Sequence, residues 1–343
     1  MAQINKSSEY FNTVLYTGNG STNTITGVGF QPDWTLLKDR NDTSGTRVYD
    51  SVRGAIKRIR TDTTDAEIDD SDGLTAFGSD GFTLGADGAT NANSTLYVSW
   101  NWLGANGTAS NTDGSITSTV SANTTSGFSI VTWTGNSTAS QSVGHGLGAV
   151  PKVILTKNTD NGSQPWKCYF SEVGNADYLQ INTTDAPTTS GVWNNTTPSS
   201  SLIYISNDVG INGSGNTIVA YCFAEKKGFS KFGSYVGNGN ADGTFVYTGF
   251  KPAMVIIKNT TTAGTNWNIH DSARDTDNPV EKYLHPNTTD AEPTTIRDID
   301  FLSNGFKPRT GNSTWNGSGD SYIYMAFAES PLVGTNNTPA TAR

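Results

Sequence analysis

The chain has 343 residues, 34% of them apolar and only 15% charged, with a net charge of −9. The length allows two or three domains, each with its own core, and eight Trp, thirteen Tyr and fourteen Phe exclude the aromatic-poor profile of a disordered chain. The acidic balance, with no basic run beyond Lys57-Arg58-Ile59-Arg60, argues against nucleic acid as a partner, because phosphate binding needs clustered cations.

No stretch approaches the ~20 apolar residues of a membrane helix, so no membrane insertion is expected. The segment Met1–Lys6 lacks the apolar run of a secretory signal. With Cys168 and Cys222 as the only cysteines, synthesis and assembly in a reducing cytoplasm fit better than a disulfide framework.

In chain order, one phrase is written three times. Gly29-Phe30-Gln31-Pro32 leads into Trp34–Asp39, Gly146–Pro151 into Val153–Asn158, and Gly249-Phe250-Lys251-Pro252 into Met254–Asn259. In each copy six positions separate the Pro from a Lys: Lys38, Lys157 and Lys258. Gly and Pro before a β-branched run predict a turn feeding a buried strand.

Upstream of each phrase an aromatic strand ends in Gly-Asn: Gly18-Asn19, Gly135-Asn136 and Gly237-Asn238. These glycines are expected to supply the positive φ of a tight hairpin. Downstream come a short strand (Arg47–Asp50, Trp166–Tyr169, Trp267–Asp271) and a second repeated phrase. That phrase, Asp62-Thr63-Thr64-Asp65, Asn182-Thr183-Thr184-Asp185 and Asn287-Thr288-Thr289-Asp290, predicts a turn held by side chain-to-backbone hydrogen bonds. Each copy closes with a strong strand whose alternation puts Val98, Trp100 and Trp102, then Val219, Tyr221 and Phe223, then Ile323, Met325 and Phe327 on one face.

These spacings predict an all-β fold of three tandem antiparallel β-sandwich domains, lectin- or jelly-roll-like in size. The boundaries are 1–104 for the first repeat, 105–125 for a Gly/Ser/Asn/Thr linker, 126–228 for the second, 229–331 for the third and 332–343 for a flexible tail. The linker suggests that the first repeat and the directly joined pair do separate jobs, one docking and one meeting the partner.

Chemistry is sparse. Asp62, Asp65 and Glu67 suggest a glycosidase carboxylate pair, but the middle copy has Pro187 where the others have Glu67 and Glu292, so the turn is the constant element. His270 occupies an aromatic slot (Tyr49, Tyr169), and no histidine has a partner at zinc-ligand spacing. Asn238–Gly243 and Asp69–Gly73 resemble calcium loops only loosely, since Gly249 stands at the twelfth position instead of the bidentate Glu. No catalytic residue, metal ligand or cofactor is therefore expected, with calcium a minor alternative. Loop aromatics flanked by amides, Trp193 with Asn194 and Trp315 with Asn316, are candidates for glycan or partner contact.

The linked phrases INKSSEYFNT, TGVGFQPDW, YDSVRGA, VGHGLG, YCFAE and GSYVGNGNADGTFVYTGFKPA resemble those of repeat-containing tail-fibre-like or virion structural proteins of marine tailed bacteriophages. The resemblance runs from about Ile4 to Leu332 and brings no catalytic residues. It implies a non-enzymatic virion protein, a tail-fibre or host-recognition component binding cell-surface glycan. The alternative is a capsid-decorating or head-fibre protein, and a lower one is a polysaccharide-degrading tail enzyme. The implied partners are other virion proteins and host polysaccharide, and the chain would be a homo-oligomer, trimeric if a fibre.

Overall fold

The repeated phrases become strands that hold equivalent places. In the computed structural model, which describes residues 3–293, 299–334 and 339, the chain is all-β and antiparallel, with helix confined to single turns such as Gly88–Asn91 and Val209–Asn212. The organising strands are Trp34–Asp39, Val153–Asn158 and Phe250–Asn259. Each lies between a closing strand (Leu96–Trp102, Thr217–Phe223, Ser321–Pro331) and a short strand (Arg47–Asp50, Lys167–Phe170, Asn268–Asp271). Each closing strand pairs on its other side with an opening strand: Phe11–Thr17, Phe128–Thr134 or Ser230–Val236. Gly29, Gly146 and Gly249 have φ of 89°, 73° and 82°, so the glycine that begins the organising phrase holds a conformation other residues adopt only with strain.

Each large sheet buries both faces. The outer face packs on a small sheet of the same repeat and makes a local core, such as Leu37, Tyr49, Leu74 and Phe82 in the first repeat. The inner faces of all three meet in one common core that takes in Trp34, Trp100 and Trp102, then Leu155, Tyr221 and Phe223, then Ile256, Met325 and Phe327. Trp102, Phe223 and Phe327 form a triangle of edge-on rings, with centroids 5.4, 5.8 and 6.3 Å apart. Beside them Leu36, Leu155, Ile256, Thr61, Ile181 and Pro286 help to line an apolar cavity of about 20 Å³, one water in size but without polar partners for it. The repeats are therefore three sides of one body.

Two expectations change. The segment 105–125 is no linker: Ala109–Asn111 and Ser118–Asn123 are strands that extend the second repeat's sheet. Their alternation is weak because Ser, Thr and Asn fill most positions, with Ala109 and Ala122 small and Val120 the one larger apolar side chain. Gly18, Gly135 and Gly237 do not supply positive φ, which falls two residues later at Gly20, Ser137 and Gly239. They are glycines because the chain passes against them: a Cβ would sit 2.1 to 2.3 Å from the carbonyl oxygens of Ala92, Gly213 and Gly317. The proposed tail, 332–343, lies mostly outside the described residues.

Candidate functional site

The repeated polar residues are consumed in joining the repeats. Lys157 donates from Nζ to Thr64 O of the first repeat at 2.8 Å, Lys258 to Thr184 O of the second at 3.2 Å, and Lys38 to Thr288 O of the third at 2.9 Å. Each also reaches a carbonyl in its own repeat: Gln164, Thr265 or Ser44. The second repeat thus grips the first, the third grips the second, and the first grips the third. The ring closes. Burial pushes all three ammonium groups down to about 8, although acidic neighbours (Asp65 for Lys157, Asp185 for Lys258, Asp62 for Lys38) work against it. The Thr-Thr-Asp turns are held as expected, with the backbone N–H groups of Asp65, Asp185 and Asp290 donating to the hydroxyls of Thr63, Thr183 and Thr288.

A second set of contacts uses the short strands. Asp50 accepts from Tyr221 and Arg53, and Arg53 also binds Glu67. Asp271 accepts from Trp100 Nε1 at 3.0 Å and from Arg274 at 2.7 Å. In the second repeat the corresponding side chain is Phe170, which lines the central cavity together with Met325. Of the carboxylates that suggested hydrolysis, Asp62 and Asp65 pair with Arg60 and Glu67 pairs with Arg53, while Asp50 and Asp271 are wholly buried against Arg53 and Arg274.

The proposed glycan-contact residues do not form a site. Trp193 is fully buried, edge-on to Tyr169 at 5.8 Å, and Trp315 is 3% exposed, donating from Nε1 to His270 Nε2 at 2.9 Å. Neither ring can stack on a sugar in this fold, because each completes the outer core of its repeat. Asn194 sits half-buried at φ 51° in a turn and accepts from Ser140 Oγ. Asn316 is fully buried and staples the Gly-Asn loop, donating to Asn238 Oδ1 and the carbonyls of Asn240 and Thr310. Asn91 and Asn212 do the same in the other repeats. Their shared position before a Ser-containing turn was the available signal.

The calcium-like turns hold cations of their own. Lys307 and Arg309 both pair with Asp242, Lys57 with Asp69, and Arg58 with Asp70. His270 is buried and kept neutral, lowered to about 3 by burial and by nearby Arg274. Cys168 and Cys222 are free, buried thiols pushed up to about 12. Among the described residues no helix is long and apolar enough to cross a membrane.

An open cleft of about 450 Å³ lies where the second and third repeats join, lined by Glu225, Lys226, Lys227, Lys231, Tyr247 and Thr248 among others. Lys231 pairs with Glu225 at 3.1 Å, and Glu225 also accepts from the Phe232 N–H. Tyr247 is 58% exposed. Its exposure was not legible in the sequence, where Tyr247 is one more strand aromatic before the organising phrase.

A family model described as Domain of unknown function (DUF7483) matches the chain over residues 6–331. The chain belongs to this family. The DUF7483 match spans all three repeats in one piece, as befits a body whose repeats share a core. Neither the curated proteins nor the solved structures offer a match.

Proposed function

We propose that this DUF7483 protein is a non-enzymatic structural and binding component of a tailed-bacteriophage virion, placed in a tail fibre or host-recognition appendage. The observation that carries the reading is that the repeated lysines and Thr-Thr-Asp turns tie the repeats into one ring. Residues that recur three times at a sequence level are thereby accounted for by architecture, leaving the outer loops to meet partners. Each repeat is read as one lectin-like sandwich, a large sheet backed by a small one. The resemblance of the linked phrases to virion proteins supplies the location, and the partners are other virion proteins and a host-surface glycan.

A second reading, decoration of the head, draws support from the same ring. One chain that closes three related sides matches a site of threefold symmetry without needing three chains. Labelling the chain on purified virions and imaging them separates the two. The fibre reading expects a few copies on the tail, and decoration expects many on the head. A chain absent from virions overturns both. Oligosaccharide release from host envelope by the purified chain would overturn the non-enzymatic assignment.

A further inference from the structure

The cleft at Tyr247 departs from the repetition of the ring. In the register of the small sheets Tyr247 pairs with Gly305, as Thr26 pairs with Gly81 in the first repeat and Gly144 with Leu202 in the second. An exposed aromatic ring therefore stands where the other repeats have a threonine and a glycine. The ring is also positioned: its Oη and Cε1 atoms lie 3.5 and 3.7 Å from where a Cβ on Gly249 would be. The ring thus lies over the side of Gly249 that carries no side chain.

The charge here runs against the rest of the molecule. The chain carries −9 overall, yet the cleft is lined by three lysines and one glutamate. Lys226 Nζ is engaged by the Thr124 carbonyl, and Lys231 by Glu225, while Lys227 is exposed. Local positive potential on an acidic surface draws an anion to this place rather than elsewhere. Glu225 keeps carboxylate lone pairs beyond those used by Lys231 and the Phe232 N–H, so it can accept from hydroxyl groups. Aromatic face, cations and a hydroxyl acceptor in a cleft of this volume match the needs of a sugar that carries carboxylates.

We propose that the cleft between the second and third repeats binds an acidic saccharide, with Tyr247 stacked against a sugar ring and Lys227 and Lys231 facing its carboxylates. This rests on the binding-protein reading above and names its ligand class. The test titrates the full-length chain with trigalacturonate and, in parallel, with neutral maltotriose by calorimetry. Trigalacturonate is expected to bind, weakening with added salt and by about tenfold or more in Tyr247→Ala and in Lys231→Gln. Tyr247→Phe should retain binding, and all variants should keep a melting temperature within a few degrees of wild type, because Tyr247 is exposed and Lys231 loses only a partly exposed ion pair. The proposal is overturned if trigalacturonate does not bind saturably, if maltotriose binds equally well, or if Tyr247→Ala binds as wild type. Imaging of labelled virions is independent: absence from virions would overturn the virion reading and leave the cleft standing, while a failed titration would do the reverse.

Discussion

The Tyr221 hydroxyl donates to the Asp50 carboxylate across 2.7 Å, joining the second repeat to the first at a point where both side chains are fully buried. The same junction between the third and first repeats uses Asp271 and Trp100. Between the second and third it uses Phe170 and Met325, which share the cavity wall. The set changes together: the second repeat also has Val173 and Pro187 where the others have Arg53 and Arg274, Glu67 and Glu292. A buried carboxylate requires donors and a counter-charge, so losing one member makes the others costly. The backbone follows suit. Glu67 N–H donates to Thr159 O and Glu292 N–H to Arg40 O, whereas Pro187 has no N–H to give.

Tyr221→Phe removes one bond from Asp50 and a longer one from Arg53 but leaves the Asp50–Arg53 pair in place, so it should cost about 1.5–3 kcal/mol, typical of a hydrogen bond to a charged group. Asp50→Phe alone takes from the buried guanidinium of Arg53 one of its two carboxylates, leaving Glu67, and should cost about 3–5 kcal/mol. Combining Asp50→Phe with Arg53→Val and Tyr221→Met imports the apolar solution of the other junction and should recover part of that loss. Urea unfolding of the three variants checks this. If the triple variant is no more stable than Asp50→Phe, the junctions are not interchangeable.

The constant Pro-to-Lys spacing and the Thr-Thr-Asp phrase were both legible in the sequence, and both are strands and turns as expected. Their relationship was not. Lys38 meets Thr288 across 250 residues, Lys157 meets Thr64 across 93 and Lys258 meets Thr184 across 74. A period detects equivalence between copies, but it carries no information on whether the copies face one another. Alternation correctly put Trp100, Tyr221 and Met325 on a buried face and could not say that the three faces are the same interior. Trp193 and Trp315 misled because flanking amides look like a polar loop, while Asn316 turns its amide inward to satisfy backbone carbonyls.

Stability should rise with pH from acid to about pH 9. His270 stays neutral down to about 3, because burial and Arg274 oppose its charge, whereas an unfolded histidine protonates near 6.5. Unfolding takes up a proton between those values, so stability falls as pH falls through that window, by roughly 1–3 kcal/mol. The lysines act on the other side. Lys38, Lys157 and Lys258 lose their protons near 8 when folded and near 10.4 when unfolded. Unfolding again takes up protons in between, so the three lysines raise stability with pH. The two thiols, held up to about 12 when folded but ionising near 8.5 when unfolded, offset part of that gain above about pH 8.5, and unfolded tyrosines add to the loss near 10. Melting temperatures at pH 5, 7 and 9 should increase in that order, and His270→Tyr should flatten the step from 5 to 7. A melting temperature that drops between pH 7 and 9 contradicts the lysine contribution.

The ring triangle should be among the most sensitive places in the molecule. Phe327 contacts Trp102, Phe223, Phe232 and Phe11 at centroid distances of 5.2 to 5.8 Å. Phe327→Ala opens a cavity against all three repeats and should cost about 3–5 kcal/mol. Phe327→Leu keeps most of the volume and should cost clearly less. Thermal unfolding should remain a single transition in both variants, since the side chain belongs to a shared interior. Two separated transitions would show that the repeats melt one by one.

Removing residues 1–104 gives the sharpest test of that shared interior. A flexible linker would leave the remaining pair intact, but the strands Ala109–Asn111 and Ser118–Asn123 are part of the second repeat's sheet, and the first repeat is one side of the ring. Deletion takes Trp34, Leu36, Val48, Val98, Trp100 and Trp102 out of the common core. It strips Tyr221 of Asp50, Lys157 of Thr64 and Trp166 Nε1 of its bond to Arg60 O. The faces of Leu155, Tyr221, Phe223, Met325 and Phe327 that met the first repeat would then lie open. At about 1.5–3 kcal/mol for each large side chain transferred to water, the loss is of the order of the ~5–15 kcal/mol that holds a whole domain folded. The fragment 105–343 should therefore be aggregated or digested rapidly by protease under conditions where the full chain resists. Adding the separately produced segment 1–104 during refolding should restore part of the resistance, because the missing side of the ring is complementary to both edges. A fragment that melts cooperatively within a few degrees of the full chain would mean that the repeats fold as independent units.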